Sequence, residues 1–207
     1  MSVRRRHAPL VAGLALVAGL SSCSGNQEAG GPTASPSPTV TPVSGRDLEG
    51  VSLRRTSFCG DLPEGAPDRA VGGQVKDTVE YASGDRVEVA PGTTDIAHEY
   101  SCGYTSSGRA AARAWVFAPA VTPAQARDFA KAARSPRACR PLPGAAVLGD
   151  RAVGLVCTDH GVVTVSSRAL VGDTWLSCEV AAPDAPRDEL VSRLDEWCGA
   201  VVDALSA

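Results

Sequence analysis

Residues 151–182, RAVGLVCTDHGVVTVSSRALVGDTWLSCEVAA, hold three runs rich in β-branched residues, broken at Asp159-His160-Gly161 and at Val171-Gly172-Asp173. Breaks this short join antiparallel strands, because a parallel return needs a crossover of about a dozen residues or more. The segment that follows, 186–205, changes period. Leu190, Val191, Leu194, Trp197, Cys198, Val201, Val202 and Leu205 recur at helical spacing and make one continuous apolar stripe, which must pack on the sheet. Its other side carries Arg187, Asp188, Glu189, Arg193, Asp195 and Glu196, which read as solvated charges.

The upstream part repeats the alternation of helix and strand. AHEYSCGYTS (97–106) and RAAARAWVFAPA (109–120) read as two strands joined at Ser107-Gly108, with Trp115 and Phe117 on one face. TPAQARDFAKAAR (122–134) has Thr122 as N-cap, Pro123 at the first helical position and Gln125 placed to complete a capping box. CGDLPEGAPDRAVGG (59–73) reads as a short helix starting at Asp61 or Pro63 and stopped by Gly72-Gly73. The order helix, strands, helix, strands, helix predicts a single α+β domain, an antiparallel sheet packed with about three helices, spanning residues 56–207.

Seven cysteines, at 23, 59, 102, 139, 157, 178 and 198, set the environment. An odd number in an exported chain leaves one with a separate fate. Cys23 is that one: it follows a basic stretch (Arg4, Arg5, Arg6, His7), an apolar run from Ala8 to Leu20, and the small residues Ser21 and Ser22. This is the anatomy of a secretory signal, and the apolar run is shorter than the roughly 20 residues of a spanning helix. The expected organisation is a signal peptide over 1–22, then the modified cysteine and a tether over 23–55. The tether sequence, rich in Gly, Pro, Ser and Thr, offers too little apolar surface to offset the entropy of ordering. As a random coil it would reach roughly 30 Å.

The other six cysteines are expected to form three disulfides that staple the domain outside the cell. The pairing predicted is Cys59 with Cys102, Cys139 with Cys157, and Cys178 with Cys198, each linking a helix or its flank to a nearby strand. No C-x-x-C spacing occurs, and no histidine stands at zinc-finger spacing from a cysteine, so no metal and no cofactor is expected. Removing the three arginines of residues 1–22 leaves 17 basic residues against 23 acidic ones, a net charge of −6. Nucleic acid is therefore not an expected partner, since its binding rests on clustered positive charge. A monomer is expected, with contact to the membrane only through a lipid on Cys23.

Catalytic patterns are sparse. His98 stands in DIAHEY beside Asp95 and Glu99, and His160 in a turn. No G-x-S-x-G elbow presents a nucleophile, and no phosphate-binding loop or H-E-x-x-H helix occurs. Neighbouring carboxylates such as Asp188-Glu189 and Asp195-Glu196 point in different helical directions and do not converge as a glycosidase pair must. No catalytic residue is assigned. Tyr81, Tyr100, Tyr104, Trp115 and Trp175 could line a ligand groove, but core and half-buried strand positions are the commoner use of such rings.

Leu20-Ser21-Ser22-Cys23 resembles the lipobox of bacterial lipoproteins, in which diacylglycerol (typically palmitate chains) is attached to the cysteine sulfur and the chain is cut before it. Only two of the 20 basic residues are lysines, Lys76 and Lys131, a bias that suggests an actinobacterial, high-GC source. FCGDLPEGAPDRAVGG, EYSCGY and PLPGAAVLGDRAV, the last containing a Gly149-Asp150-Arg151-Ala152 turn before a strand, add to the similarity. The chain thus resembles small actinobacterial envelope lipoproteins of the Lpp/Lpq type, built on a domain of unknown function. The cysteines at 139, 157, 178 and 198 go beyond the single bridge of the simplest members. The resemblance implies a surface lipoprotein of unknown biochemical role, with no catalytic residues to carry over. An anchor, a tether and a bridged domain without catalytic machinery lead to the expectation of a non-enzymatic lipoprotein, exported and anchored to the outer face of the cytoplasmic membrane, that binds a small ligand, an envelope protein or a wall component. The alternatives are an accessory subunit of an envelope transporter or sensor system, or a hydrolase using His98 or His160.

Overall fold

The computed structural model describes residues 40–136, 138–142, 148–149 and 152–206. In chain order the elements are α1 (Ala66–Val71), β1 (Val75–Tyr81), β2 (Arg86–Ala90), β3 (Thr93–Ile96), β4 (Glu99–Ser106), β5 (Ala111–Phe117), α2 (Pro123–Ala133), β6 (Cys139–Pro141), β7 (Val153–Asp159), β8 (Val162–Val171), β9 (Thr174–Pro183) and α3 (Arg187–Leu205). Seven strands form one antiparallel sheet in the order β1-β4-β5-β9-β8-β7-β6, and β2 with β3 forms a separate two-stranded ladder. The three helices and the antiparallel sheet are those expected from the sequence.

Local chemistry explains the hairpins. His160 (φ 45°) and Gly161 (φ 77°) both take left-handed backbone between β7 and β8, the conformation a two-residue hairpin turn of the right twist requires. The β8–β9 pairing then runs continuously from Val162↔Pro183 to Val171↔Thr174. The remaining connection is long range. From β5 at the middle of the sheet the chain must reach β6 at the far edge, four strand spacings or about 19 Å away. Helix α2, 11 residues and therefore about 16 Å long, makes that crossing. The meander β6-β7-β8-β9 returns the chain to β5.

Alternation along each strand divides the sheet into two unlike faces. One presents Ala112, Ala114 and Val116 of β5, Leu176, Cys178 and Val180 of β9, and Val165 and Ala169 of β8. Against it packs α3, whose Leu190, Leu194, Trp197, Cys198, Val201 and Leu205 are all buried. The alanines of β5 leave room for Trp197, which donates its indole N–H to the Arg113 carbonyl at 3.1 Å and stands edge-on to Tyr104 at 5.8 Å. Each large side chain buried here contributes roughly 1.5–3 kcal/mol. Packing therefore, more than propensity, keeps α3 helical. Helix α1 lies on the same face, against α3 and the neighbouring strands.

Two expectations are corrected. The tether does not extend to residue 55: Val43 is 1% exposed and Leu53 4%, both in the α3-side core. Ser44 donates its backbone N–H (2.8 Å) and its hydroxyl to Asp195, Arg46 pairs with Asp203, and Leu53 bridges to Ser206. A polar, turn-rich segment is thus held by a few long-range anchors that local composition does not reveal. The second correction concerns the cysteines. Cys59–Cys102 and Cys139–Cys157 are bonded, at Cα separations of 5.6 and 4.0 Å. Cys178 and Cys198, expected as a third bridge, are unbonded, fully buried thiols in this structure. They neighbour each other across the α3–β9 interface, where buried thiols pack as small apolar groups.

The sequence reading also missed β1, β2, β3 and β6. The first three are exposed along most of their length, so no apolar alternation marks them. The signal segment, Cys23 and the tether to residue 39, and Asp150-Arg151 of the Gly-Asp-x-Ala turn, lie outside the described residues. No helix among the described residues is long and apolar enough to cross a membrane.

Candidate functional site

The second face of the sheet is only partly covered. Its central row runs Ser101, Trp115, Ser177, Arg168 and Val153 across β4, β5, β9, β8 and β7, each directly opposite the next. Where α2 crosses, rings meet in sequence: Trp115 lies 5.5 Å from Phe117, Phe117 lies 5.1 Å from Phe129 of α2, and Phe129 lies 5.6 Å from Trp175. Such contacts add about 0.5–1.5 kcal/mol each beyond simple burial, which fixes α2 in place. The helix start is fixed independently by the Thr122–Gln125 capping box, with Pro123 in the first turn, as the sequence predicts. At the other end the Ala132 carbonyl accepts from the Ser135 N–H and hydroxyl, at 3.1 and 2.7 Å.

The helix does not seal the face. Between its C-terminal turn and the sheet remains a groove of about 320 Å3. Its walls are the four rings and Ala133 and Pro136; Leu155 and the Cys139–Cys157 bridge close the far side, and Arg168 adds a guanidinium. Among the described residues that line it, none is a carboxylate. Arg168 is half-buried, its Nε shielded from solvent and without a hydrogen-bond partner. The Ser177 hydroxyl opposite it is buried and, like the Arg168 Nε, has no hydrogen-bond partner among the described residues.

Beside the groove, Arg113 organises a polar cluster on the same face. Its Nε donates to the Ser101 hydroxyl at 3.2 Å, and its Nη2 donates to the Tyr81 hydroxyl and lies 3.4 Å from Glu99. Tyr81 in turn donates to Glu99, and its ring lies 5.8 Å below the Arg113 guanidinium. Burial first, and then the hydrogen bond to Glu99, push the Tyr81 phenol above its ordinary range. The cluster ties β1, β4 and β5 together and satisfies its own charges. A wider, polar hollow of about 560 Å3 lies elsewhere, bordered by Gly72, Gln74, Lys76 and Ser107.

Of the aromatic residues singled out in the sequence, Trp115 and Trp175 line the groove. Tyr104 and Tyr100 belong to the α3-side core, where burial, then the charge of Glu80, raises the Tyr104 phenol. Phe129 and Arg168 were not singled out. Phe129 is the only large apolar residue of α2, a signal available to inspection. Arg168 is an arginine inside the run VSSRALV, unremarkable until its strand register is known. His98 and His160 are both exposed, His160 with 94% of its side chain open to solvent, and neither lines the groove or the polar hollow. Among the described residues no three His, Cys, Asp or Glu side chains gather as a metal site. The chain matches no protein-family model and no curated protein.

Proposed function

We propose that this chain is a lipid-anchored extracytoplasmic lipoprotein, non-enzymatic, whose domain binds a small ligand in the groove between α2 and the sheet. The groove carries the reading: four aromatic rings and one guanidinium converge on a concave surface, the composition typical of small-molecule sites. The Leu20-Ser21-Ser22-Cys23 motif and the Ser/Thr/Pro-rich stretch after it support export and attachment through Cys23 to the outer face of the cytoplasmic membrane. Intact mass of protein extracted from a host membrane tests the anchor. A diacylated N-terminal Cys23, and release of the Cys23→Ala protein from the membrane fraction, are the expected results; an unmodified, membrane-free chain with Cys23 intact rejects it.

A second reading, an accessory subunit of an envelope transporter or sensor, draws on the exposed side of the molecule. Val79 on edge strand β1 is 62% exposed, and Val89 and Ile96 of the β2–β3 ladder are 59% and 41% exposed. Unpaired edges and exposed apolar residues suit strand addition by a partner. Recovery of one stoichiometric protein from solubilised membranes, lost in a Val79→Lys variant, favours this reading. The hydrolase alternative gains no support from the exposed positions of His98 and His160.

A further inference from the structure

We infer that the groove takes a small organic carboxylate: the acid group on the Arg168 guanidinium, and an aromatic or short aliphatic body on the rings of Trp115, Phe117, Phe129 and Trp175. The inference rests on the ligand-binding reading above and names the chemistry of that ligand. Arg168 carries it by contrast with its counterparts. Five arginines among the described residues are half-buried: Arg46, Arg55, Arg113, Arg168 and Arg193. Four have a carboxylate partner, Asp203, Asp173, Glu99 and Glu189 respectively. Arg168 forms neither an ion pair nor a hydrogen bond among the described residues, although its Nε is shielded from solvent and aromatic rings line the groove it borders.

A guanidinium in such a place is costly unless an acceptor reaches it. A carboxylate matches its planar fork with two parallel hydrogen bonds, a recognition that a lone hydroxyl or amide does not reproduce. The opposing influence is the C-terminal end of α2, which carries a partial negative charge of roughly half a unit. That end is the weaker influence, because the Ala132 and Lys131 carbonyls already accept hydrogen bonds from Ser135 and Arg134, whereas the arginine charge is full and has no ion-pair partner among the described residues. Size narrows the class further. A groove of about 320 Å3 lies at the lower end of the roughly 300–1,000 Å3 range of ligand sites, which suits one ring or a short chain and not a polymer or an intact diacyl lipid.

The test uses the full purified protein and three matched probes: 4-phenylbutyrate, its primary amide, and 4-phenylbutylamine, with octanoate as a chain analogue. Binding is read from the NMR signals of the Trp115 and Trp175 indoles, and Trp197, on the opposite face, reports whether the fold is intact. The acids should shift Trp115 and Trp175 and leave Trp197 in place, binding about tenfold or more tightly than the amide. Arg168→Gln should equalise acid and amide, and Arg168→Lys should recover part of the difference. Equal binding of acid and amide to the native protein, or tighter binding of the amine, overturns the carboxylate assignment while leaving the groove as a binding site. Failure of every probe to move Trp115 or Trp175 at millimolar concentration overturns both. An Arg168→Gln protein with a displaced Trp197 signal transfers the decision to Arg168→Lys and to the native acid–amide ratio.

Discussion

The two bonded disulfides close loops of different length, which makes their contributions separable. Cys59–Cys102 spans 43 residues and Cys139–Cys157 spans 18. Restricting the unfolded chain scales with the logarithm of loop length, giving about 4 kcal/mol for the first and about 3 kcal/mol for the second at 25 °C. Burial acts in the same direction. Cys102 is fully buried in the α3-side core, whereas Cys139–Cys157 ties short edge strand β6 to β7 at the groove wall. The perturbation is the paired substitution Cys59→Ala with Cys102→Ala, set against Cys139→Ala with Cys157→Ala. Urea unfolding followed by the fluorescence of Trp115, Trp175 and Trp197 reads the difference, with the slope checking that the exposed area is unchanged. For a domain of this size each 1 kcal/mol lowers Tm by about 2–4 °C, so the 59/102 pair should lower it by about 8–16 °C and the 139/157 pair by less. A 139/157 variant as unstable as the 59/102 variant, at equal slope, would refute the ordering. The cross-strand bridge would then be acting through native packing and not through the unfolded chain.

Three further outcomes follow from single contacts. Gly199→Ala normally gains up to about 1 kcal/mol in a helix, but here the new Cβ would sit 2.3 Å from the Thr41 carbonyl oxygen; the variant should lose stability and expose the segment around Val43 to protease, whereas a stabilised variant would reject the docking of that segment on α3. Thr122→Ala should cost about 1 kcal/mol by removing the α2 capping box, with faster amide exchange in the first turn as the readout. The Cys198 thiol is held well above its ordinary value by burial first and then by the neighbouring Cys178 thiol. In the unfolded chain it ionises near about 8.5. The native state therefore binds the extra proton above that pH, and its stability is full below pH about 8.5 and falls as pH rises toward the native value. Unfolding midpoints at pH 7.5 and 9.5, without reductant, should differ more in the native protein than in Cys198→Val; an equal pH response, or a native mass already showing a third bridge, rejects the free-thiol state as the source.

Much of the architecture is written in local pattern. Thr122-Pro123 and Gln125 start α2, the eight apolar residues of 190–205 make the α3 stripe, and His160-Gly161 and Gly172-Asp173 turn β7 into β8 and β8 into β9. These follow from short-range stereochemistry and period, which a sequence displays directly. Two of the three expected cysteine pairs are bonded, Cys59–Cys102 and Cys139–Cys157, the latter directly opposite each other on β6 and β7. Long-range pairing decided the rest. Edge strand β1 is polar because solvent touches it, and it is a strand only because β4 lends it hydrogen bonds. Residues 43–55 read as linker, yet Val43 and Leu53 are buried by a helix 150 residues away. The groove belongs to this second class. Its rings come from β5, α2 and β9, and Arg168 faces them only because the β8–β9 register sets it opposite Ser177. Sequence fixes what each segment prefers by itself; which side chains converge, and which charge is left without a partner, depends on contacts between segments far apart in the chain.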